Sequence, residues 1–246
     1  MCLITLAYKV VDGKDLIVAA NRDEYFQRPS KTADFWDEHP TVFGGLDLEA
    51  QGTWMACDRR GRFGVVANWT ETTANANQTK SRGDLVKNFL INDKNAPEYL
   101  DTIEWDRYRG VNLMLFDGQE LHYANNRKGD RLKLDPGFYG MTNTHLFDHW
   151  KRAEDGVALL KEAVHTNDLG VLIDMLFVNE ISDSSEVLGF NFSPCFIVGQ
   201  TYGTRASSAL SIEQDQIQFC EQTYGPMGRI NGRNMQTIKL NEGKDK

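Results

Sequence analysis

Cys2 is the first residue whose type and position indicate chemistry. It follows Met1 directly, and initiator methionine is commonly removed before small residues, which would give Cys2 a free α-amine beside its thiol. The amine titrates near about 7.7–8.0 and the thiol near about 8.5. The amine can therefore take the thiol proton and later return it to a leaving group. The alternative is that Cys2 is a small buried residue at the start of a strand.

A polar segment, Asn21-Arg22-Asp23-Glu24, indicates what could surround Cys2. Apolar runs at 2–8 and 16–20 flank a turn at 12–14 and predict a β-hairpin. Pairing would return the end of the second strand to Cys2, where an aspartate can hold an ammonium group and an arginine favours thiolate. The alternative is an ordinary charged turn at a strand end.

The elements that must position these residues fall into separate blocks. Strands are predicted first, helices dominate the middle, and strands return at the end; the predicted helices are 81–92, with Ser81 as cap, 96–103, 147–164 and 169–178. Such blocks favour sheets packed together with helices outside them. We therefore predict an α+β fold in a single domain over 1–246, with a weakly ordered tail at 231–246.

Composition excludes several function classes. The 246 residues include 27 Lys and Arg against 35 Asp and Glu, a net charge of −8, which disfavours nucleic acid as a partner. The longest apolar runs are too short for a transmembrane helix, so we expect no stable membrane insertion. The N-terminus lacks the features of a signal peptide, and four scattered cysteines do not form a disulfide framework. We expect a cytoplasmic protein.

Fingerprints of cofactor sites are missing from the sequence. It has no phosphate-binding loop, no dinucleotide-binding glycine motif and no C-x-x-C. His145 and His149 have metal-ligand spacing, but no third ligand stands out nearby, and we predict no metal site and no required cofactor. Arg82, just before a predicted helix, is a candidate for binding an anionic group, or simply a solvated cap residue. Trp54 and Trp69 could line an apolar pocket or belong to the core.

The segment 21–24 resembles the motif that names the NRDE family, the family of the transport and Golgi organization protein 2 homologues. Further blocks spread over roughly the first 205 residues resemble the pattern of this family. They lie at residues 1–2, 19–24, 28–31, 33–36, 45–47, 52–54, 68–69, 81–86, 140–143 and 202–205. The resemblance extends to N-terminal-nucleophile hydrolases of the choloylglycine and penicillin acylase type, and it implies a four-layer αββα sandwich.

The resemblance also implies roles for individual residues. Cys2 would be the nucleophile, Asp23 would hold the α-ammonium, and Asn68 and Asn143 would donate hydrogen bonds to the oxyanion. Arg205 would be the distal arginine of the site.

One position departs from the hydrolase pattern. Those hydrolases carry an arginine just before the Asn of N-x-D, where this chain has Ala20, while Arg22 lies inside the motif. Because alternate side chains of a strand face opposite ways, Arg22 should face away from Asp23, and it could also face away from Cys2. Either the segment is irregular or Arg205 alone supplies the positive charge.

Three functions follow as expectations. The first is hydrolysis of linear amides or thioesters through Cys2. The second is a carrier of small ligands: the resemblance implies haem, held as a bound ligand with Cys2, His145 or His149 as axial candidates, or acyl-CoA and lipid. The residues expected to contact such a ligand are Asn21, Arg22, Trp54, Trp69 and Arg82. The third is a structural or interaction protein.

Overall fold

The computed structural model describes residues 2–71, 77–177, 191–192 and 195–241. The strands are β1 (Cys2–Val11), β2 (Lys14–Tyr25), β3 (Ser30–Trp36), β4 (His39–Asp47), β5 (Met55–Asp58), β6 (Phe63–Asn68), β7 (Val111–Phe116), β8 (Leu121–Asn125), β9 (Arg131–Lys133), β10 (Gly137–Met141), β11 (Asn191–Phe192), β12 (Ile197–Val198), β13 (Tyr202–Glu213), β14 (Gln216–Tyr224) and β15 (Ile230–Lys239). The helices are α1 (Gly83–Ile91), α2 (Ala96–Asp101), α3 (Lys151–Ala163) and α4 (Leu169–Leu176).

Two large antiparallel sheets form the centre of the molecule. Sheet A has six strands in the order β10-β1-β2-β13-β14-β15, and sheet B has seven in the order β3-β4-β5-β6-β7-β8-β9. A core that includes Leu6, Val18, Phe43, Phe63 and Phe219 fills the space between them. The apolar residues of both sheets therefore meet in one buried layer, which is the main favourable contribution to folding.

Helices cover the outer face of each sheet. Val86 and Phe89 of α1 are buried with Leu113 against sheet B, and Leu160 of α3 and Leu172 of α4 are buried against sheet A. The result is the four-layer αββα sandwich, which confirms the predicted fold class. None of the helices in the described residues is long and apolar enough to cross a bilayer.

The predicted N-terminal hairpin is confirmed. β1 and β2 pair antiparallel, with Cys2 opposite Arg22 and Leu6 opposite Val18. Side chains alternate between the two faces, because Ile4 and Leu6 join the core between the sheets while Leu3 packs towards the helices. Cys2 therefore opens β1 on the face towards sheet B.

Two predictions about local structure are wrong. Of the tail expected at 231–246, residues 231–239 belong instead to the edge strand β15, which pairs with β14, and residues 242–246 lie outside the described residues. Most side chains of β15 are exposed and Ile238 alone is buried, so backbone hydrogen bonds order it without an apolar signal. Helix α1 begins at Gly83 after Arg82, with no side-chain cap from Ser81.

Candidate active site

A cavity of about 360 Å³ lies at the edge of the two sheets where β1 begins. Sheet A contributes Cys2 and Arg22 to its wall, sheet B contributes Trp54 and Asn68, and the start of α1 contributes Arg82. The cavity brings together six of the residues predicted from sequence, these five and Asp23, although they are up to 80 positions apart in the chain. The hairpin and the stacking of the two sheets place them there.

Asn143 anchors the first residue of β1. The backbone N–H of Cys2 donates to Oδ1 of Asn143 at 2.8 Å, and Nδ2 of Asn143 donates to the carbonyl oxygen of Asn68 at 2.6 Å. Both partners are backbone groups, which fixes the orientation of the amide. Asn143 thus joins the start of β1 in sheet A to the end of β6 in sheet B, beside the half-buried Cys2.

Arg22 shares the cavity with Cys2. Its guanidinium lies 4.3 Å from the ring centroid of Trp54 and 3.5 Å from the carboxylate of Asp47. The side chain does face away from Asp23, as strand alternation predicts. It also faces the same side as Cys2, because residues directly opposite each other on paired strands share a face. The expectation that Arg22 could face away from Cys2 is wrong.

Asp23 lies on the other face of sheet A and is fully buried. Its two carboxylate oxygens accept hydrogen bonds from Arg152 at 2.8 Å and from the hydroxyl of Thr204 at 2.7 Å. The backbone N–H of Cys2 bonds to Asn143 instead. The contact predicted between Asp23 and the amino nitrogen of Cys2 is therefore not made in this structure.

Arg152 is a residue that sequence reasoning missed. Its guanidinium also donates to the carbonyl oxygen of Cys195 at 2.7 Å. Burial acts to lower the pKa of Arg152, but the charge of Asp23 and its hydrogen bond outweigh burial and raise that pKa. The close packing of α3 on β1 brings Arg152 here, since a Cβ on Gly156 would come within 3.0 Å of Leu3. No motif in the sequence signals this contact.

Asn21 belongs to the same buried network. Its Nδ2 donates to the carbonyl oxygen of Cys195 at 2.7 Å, and its Oδ1 accepts from the hydroxyl of Ser207 at 2.5 Å. These bonds lie on the helix-covered face of sheet A. The structure therefore does not support the prediction that the side chain of Asn21 contacts a ligand in the cavity.

Two further predicted residues lie outside the cavity wall. The guanidinium of Arg205 donates to the carbonyl oxygens of Tyr25 and Arg28, and burial and the charge of Arg22 lower its pKa. Trp69 follows the end of β6 and packs against Gly110. Neither side chain lines the cavity, because each is used to brace the loop beside it.

The remaining wall of the cavity is rich in arginine and lysine. Arg28, Lys80 and Arg109 line it together with Arg82. Burial acts to raise the pKa of Asp47, but hydrogen bonds from Arg28 and from the backbone N–H of Ala50 outweigh it and lower that pKa. The cavity is therefore a polar, positively charged chamber with Cys2 at one end.

The two histidines have separate partners. His145 lies 2.7 Å from the carboxylate of Asp130, and His149 is exposed and lies 3.1 Å from Glu154. Neither lines the cavity. Within the described ranges, no group of three or more His, Cys, Asp and Glu side chains is placed to hold a metal ion.

Two solved structures with the same architecture are hydrolases. The chain superimposes on a Caenorhabditis elegans N-acylethanolamine-hydrolyzing acid amidase ortholog with a TM-score of 0.55 and 11% identity, covering 85% of this chain and 92% of that one. It also superimposes on the C2A mutant of the conjugated bile acid hydrolase from Clostridium perfringens, with a TM-score of 0.56 and 10% identity, covering 98% and 97%. At these identities the likeness shows the fold, that of the N-terminal-nucleophile hydrolases.

Sequence relatives identify the family. The family described as Transport and Golgi organisation 2 matches residues 1–226. The Transport and Golgi organization 2 homolog of Mus musculus is 31% identical over 239 residues, covering 85% of this chain and 86% of the relative. The homolog of Homo sapiens is 31% identical over 238 residues with the same coverage. The chain therefore belongs to the Transport and Golgi organisation 2 family.

Proposed function

We propose that this protein is a Cys2-dependent hydrolase of linear amides or thioesters. The observation that carries the proposal is the place of Cys2: it opens β1 on the wall of the cavity, and Asn143 holds its backbone nitrogen. The other described cysteines, Cys57, Cys195 and Cys220, are buried in the core layers. Cys2 is therefore the thiol that a ligand in the cavity can reach.

The proposed reaction has two steps and requires the removal of Met1. The α-amine of Cys2 takes the thiol proton, and the thiolate attacks the substrate carbonyl to form an oxyanion. The carbon–nitrogen or carbon–sulfur bond of the substrate then breaks, and the leaving group receives the proton. Water attacks the new thioester, which releases a carboxylic acid and restores the thiol. Asn68 at the cavity wall is the proposed oxyanion donor, with Asn143 beside it.

The test begins with the intact mass of protein produced without an N-terminal tag. We expect the loss of one methionine, because the mechanism needs the free amine of Cys2. Hydrolysis of acyl amides and thioesters should then disappear in Cys2→Ala and persist in the control Cys220→Ala, which alters a buried thiol of β14. Retention of Met1, or full activity of Cys2→Ala, would refute the proposal.

A carrier without catalysis is the second candidate. Its supporting observation is the pairing of Asp23 with Arg152 and Thr204, which leaves this carboxylate engaged elsewhere than at the nitrogen of Cys2. A cavity rich in arginine suits the negative charges of haem or acyl-CoA. Titration with haem should then shift its Soret band, and an acyl-CoA should bind without being cleaved. Turnover of the bound acyl-CoA would exclude this candidate.

A further inference from the structure

We propose that Arg82, with Arg109 and Lys80, forms a subsite for an anionic group, phosphate or carboxylate, of the ligand that Cys2 engages. The inference rests on the proposed function for the acyl half of that ligand. The anionic half is argued from the charges, partners and position of these three side chains.

The distribution of charge is the first argument. The chain carries a net charge of −8, yet five cationic and three acidic residues line the cavity. The cationic ones are Arg22, Arg28, Lys80, Arg82 and Arg109. The acidic ones are Glu24, Asp47 and Asp23, and the carboxylate of Asp23 is paired with Arg152 on the other face of the sheet. A positive chamber on a negative protein attracts anions locally, because the walls concentrate the field in the cleft.

Arg82 differs from Arg22 and Arg28 in its hydrogen-bond partner. Asp47 lies 2.7 Å from Arg28 and 3.5 Å from Arg22, so these two cations share one carboxylate. Arg82 instead donates to the carbonyl oxygen of Gly110 at 3.3 Å. In the part of the chain that the structure describes, no carboxylate lies within 4 Å of Arg82. Arg82 is half-buried, and Glu71, which acts on it only from a distance, already pairs with Arg109 and Arg127. A bound anion would therefore meet a guanidinium that has no close counter-ion.

Arg109 leaves positive charge at the same wall, whereas the charge of Lys80 is balanced by Glu104. Arg109 lies 3.2 Å from Glu71, but Glu71 is also held by Arg127, so one carboxylate serves two arginines. Lys80 pairs with the exposed Glu104 at the surface. Burial and the nearby charge of Arg109 lower the pKa of Arg82, as expected for like charges that face one cavity.

The position of Arg82 is fixed by backbone packing. A Cβ on Gly83 would come within 2.7 Å of the backbone nitrogen of Thr53, and one on Gly52 would come within 2.8 Å of Gly83. The start of α1 therefore rests directly on sheet B and holds Arg82 at the cavity wall. A guanidinium held in place can bind phosphate or carboxylate through two parallel hydrogen bonds.

Cys2 separates this cationic wall from an apolar cleft. The narrow cleft behind it is lined by Ile4, Ala20, Met55 and Val65. The Arg22–Trp54 stack borders both spaces. The cleft measures only about 10 Å³, which is room for one water and not for an acyl chain. The acyl group and the anionic group of a ligand would therefore both lie in the chamber of about 360 Å³ that is lined by Cys2 and Arg82.

The test uses the full chain with Cys2→Ala, so that ligands bind without turnover. Three octanoyl amides share one acyl group and differ in leaving-group charge: N-octanoylethanolamine is neutral, N-octanoylglycine carries a carboxylate, and the O-phosphate of the first carries a phosphate. Calorimetric titration should give at least about tenfold tighter binding for the phosphate than for the neutral amide, as one charge-assisted contact implies. Binding of N-octanoylglycine as tightly as the phosphate would show that the subsite accepts carboxylate as well as phosphate. Binding as weak as that of the neutral amide would show that it recognises phosphate.

Variants assign the preference to the subsite. Arg82→Gln should reduce the phosphate-to-neutral ratio about tenfold, Arg82→Lys should reduce it less, and Arg109→Gln and Lys80→Gln should each have a smaller effect. The controls are Arg59→Gln and Lys133→Gln, which lie outside the cavity wall and should leave the ratio unchanged. Equal binding of all three amides, or a ratio that Arg82→Gln does not change, would overturn the inference.

Pyrophosphate has no acyl group, so its effect on the thermal midpoint tests the anionic subsite independently of the proposed function. If none of the amides binds, the proposed acyl chemistry fails. A rise in thermal midpoint with pyrophosphate that disappears in Arg82→Gln would still support the subsite. The absence of both effects would overturn it.

Discussion

The two faces of β2 place neighbouring residues of one motif in different environments. On the helix-covered face, Asn21 and Asp23 are buried and every polar atom of their side chains has a hydrogen-bond partner from α3, α4, β13 or Cys195. On the face towards sheet B, Arg22 lines the cavity beside Cys2. The motif therefore combines a structural anchor with a ligand-facing residue, and strand alternation separates the two roles.

The two faces of β2 differ in whether the polar groups beside them are hydrogen-bonded within the protein. On the helix-covered face the polar atoms of Asn21 and Asp23 are paired with other parts of the chain, so removing one of these side chains leaves its partners unsatisfied. The cavity face leaves cations beside an open chamber. We therefore expect changes on the first face to reduce stability and changes on the second to alter binding. The predictions below run from the largest expected loss of stability to smaller ones.

Arg152→Met should cause the largest loss of stability. It leaves the fully buried carboxylate of Asp23 without its ion-pair partner, which should lower the free energy of unfolding by about 3–5 kcal/mol. Urea denaturation measures the change. The adjacent Lys151→Met removes an exposed pair with Asp155 and should cost no more than about 0.5 kcal/mol. Equal effects of the two substitutions would contradict a structural role for the Asp23–Arg152 pair.

Asn21→Ala should have the next largest effect. The carbonyl oxygen of Cys195 loses one of its donors, and the hydroxyl of Ser207 loses its acceptor. Unsatisfied buried groups of this kind cost about 1–3 kcal/mol. The matched control is Asn88→Ala on the exposed surface of α1, which should stay within about 0.5 kcal/mol of the parent protein. A loss for Asn21→Ala no larger than the control would show that the network adds nothing to stability.

Glu221, on the face of sheet A that is turned towards sheet B, should make the stability of the protein depend on pH. Burial raises the pKa of Glu221 above its ordinary value of 4.5, against hydrogen bonds from the backbone N–H of Ala33 and from Ser208. The folded state therefore holds a proton where the unfolded state has lost it, and stability falls as pH rises from 4.5 through the higher folded-state pKa. Glu221→Gln keeps an acceptor for Ala33 and should remove this fall.

Thermal midpoints of both proteins between pH 4 and pH 8 test this expectation. The midpoint of Glu221→Gln relative to the parent should increase with pH. A difference that stays constant across the range would show that Glu221 does not titrate differently on folding.

Arg22→Gln should reduce stability less than Arg152→Met. Asp47 keeps its 2.7 Å contact with Arg28, and the lost stacking of the buried Arg22 on Trp54 is worth about 2 kcal/mol. Urea denaturation should therefore give a loss of about 2 kcal/mol, below that of Arg152→Met. A loss as large as that of Arg152→Met would show that both faces of β2 are structural and would remove the contrast drawn above.

Much of the fold follows from local sequence patterns. The apolar runs on either side of Gly13 specify the β1–β2 hairpin, because their alternation and the turn determine the register. The order of strands, helices and strands favoured stacked sheets, and the motif placed Cys2, Arg22 and Asp23 at one strand end. These features depend on neighbours in sequence.

Other features were decided by tertiary packing. β15 is ordered by backbone pairing with β14, which leaves no apolar pattern in its sequence. Arg152 reaches Asp23 across 129 positions because α3 packs closely on β1. The side of β2 that faces Cys2 became clear only from the pairing of Cys2 with Arg22.

For the residues of the site, too, some properties follow from the sequence and others from the tertiary structure. The sequence by itself determined the residue types available for catalysis and for binding, and the strand ends at which most of them lie. Tertiary structure decided that Asn21, Arg205 and Trp69 brace the scaffold while Arg82 and Arg109 face the cavity. The physical reason is that contacts between distant segments depend on how whole layers pack, and a local pattern of residue types carries no information about that packing.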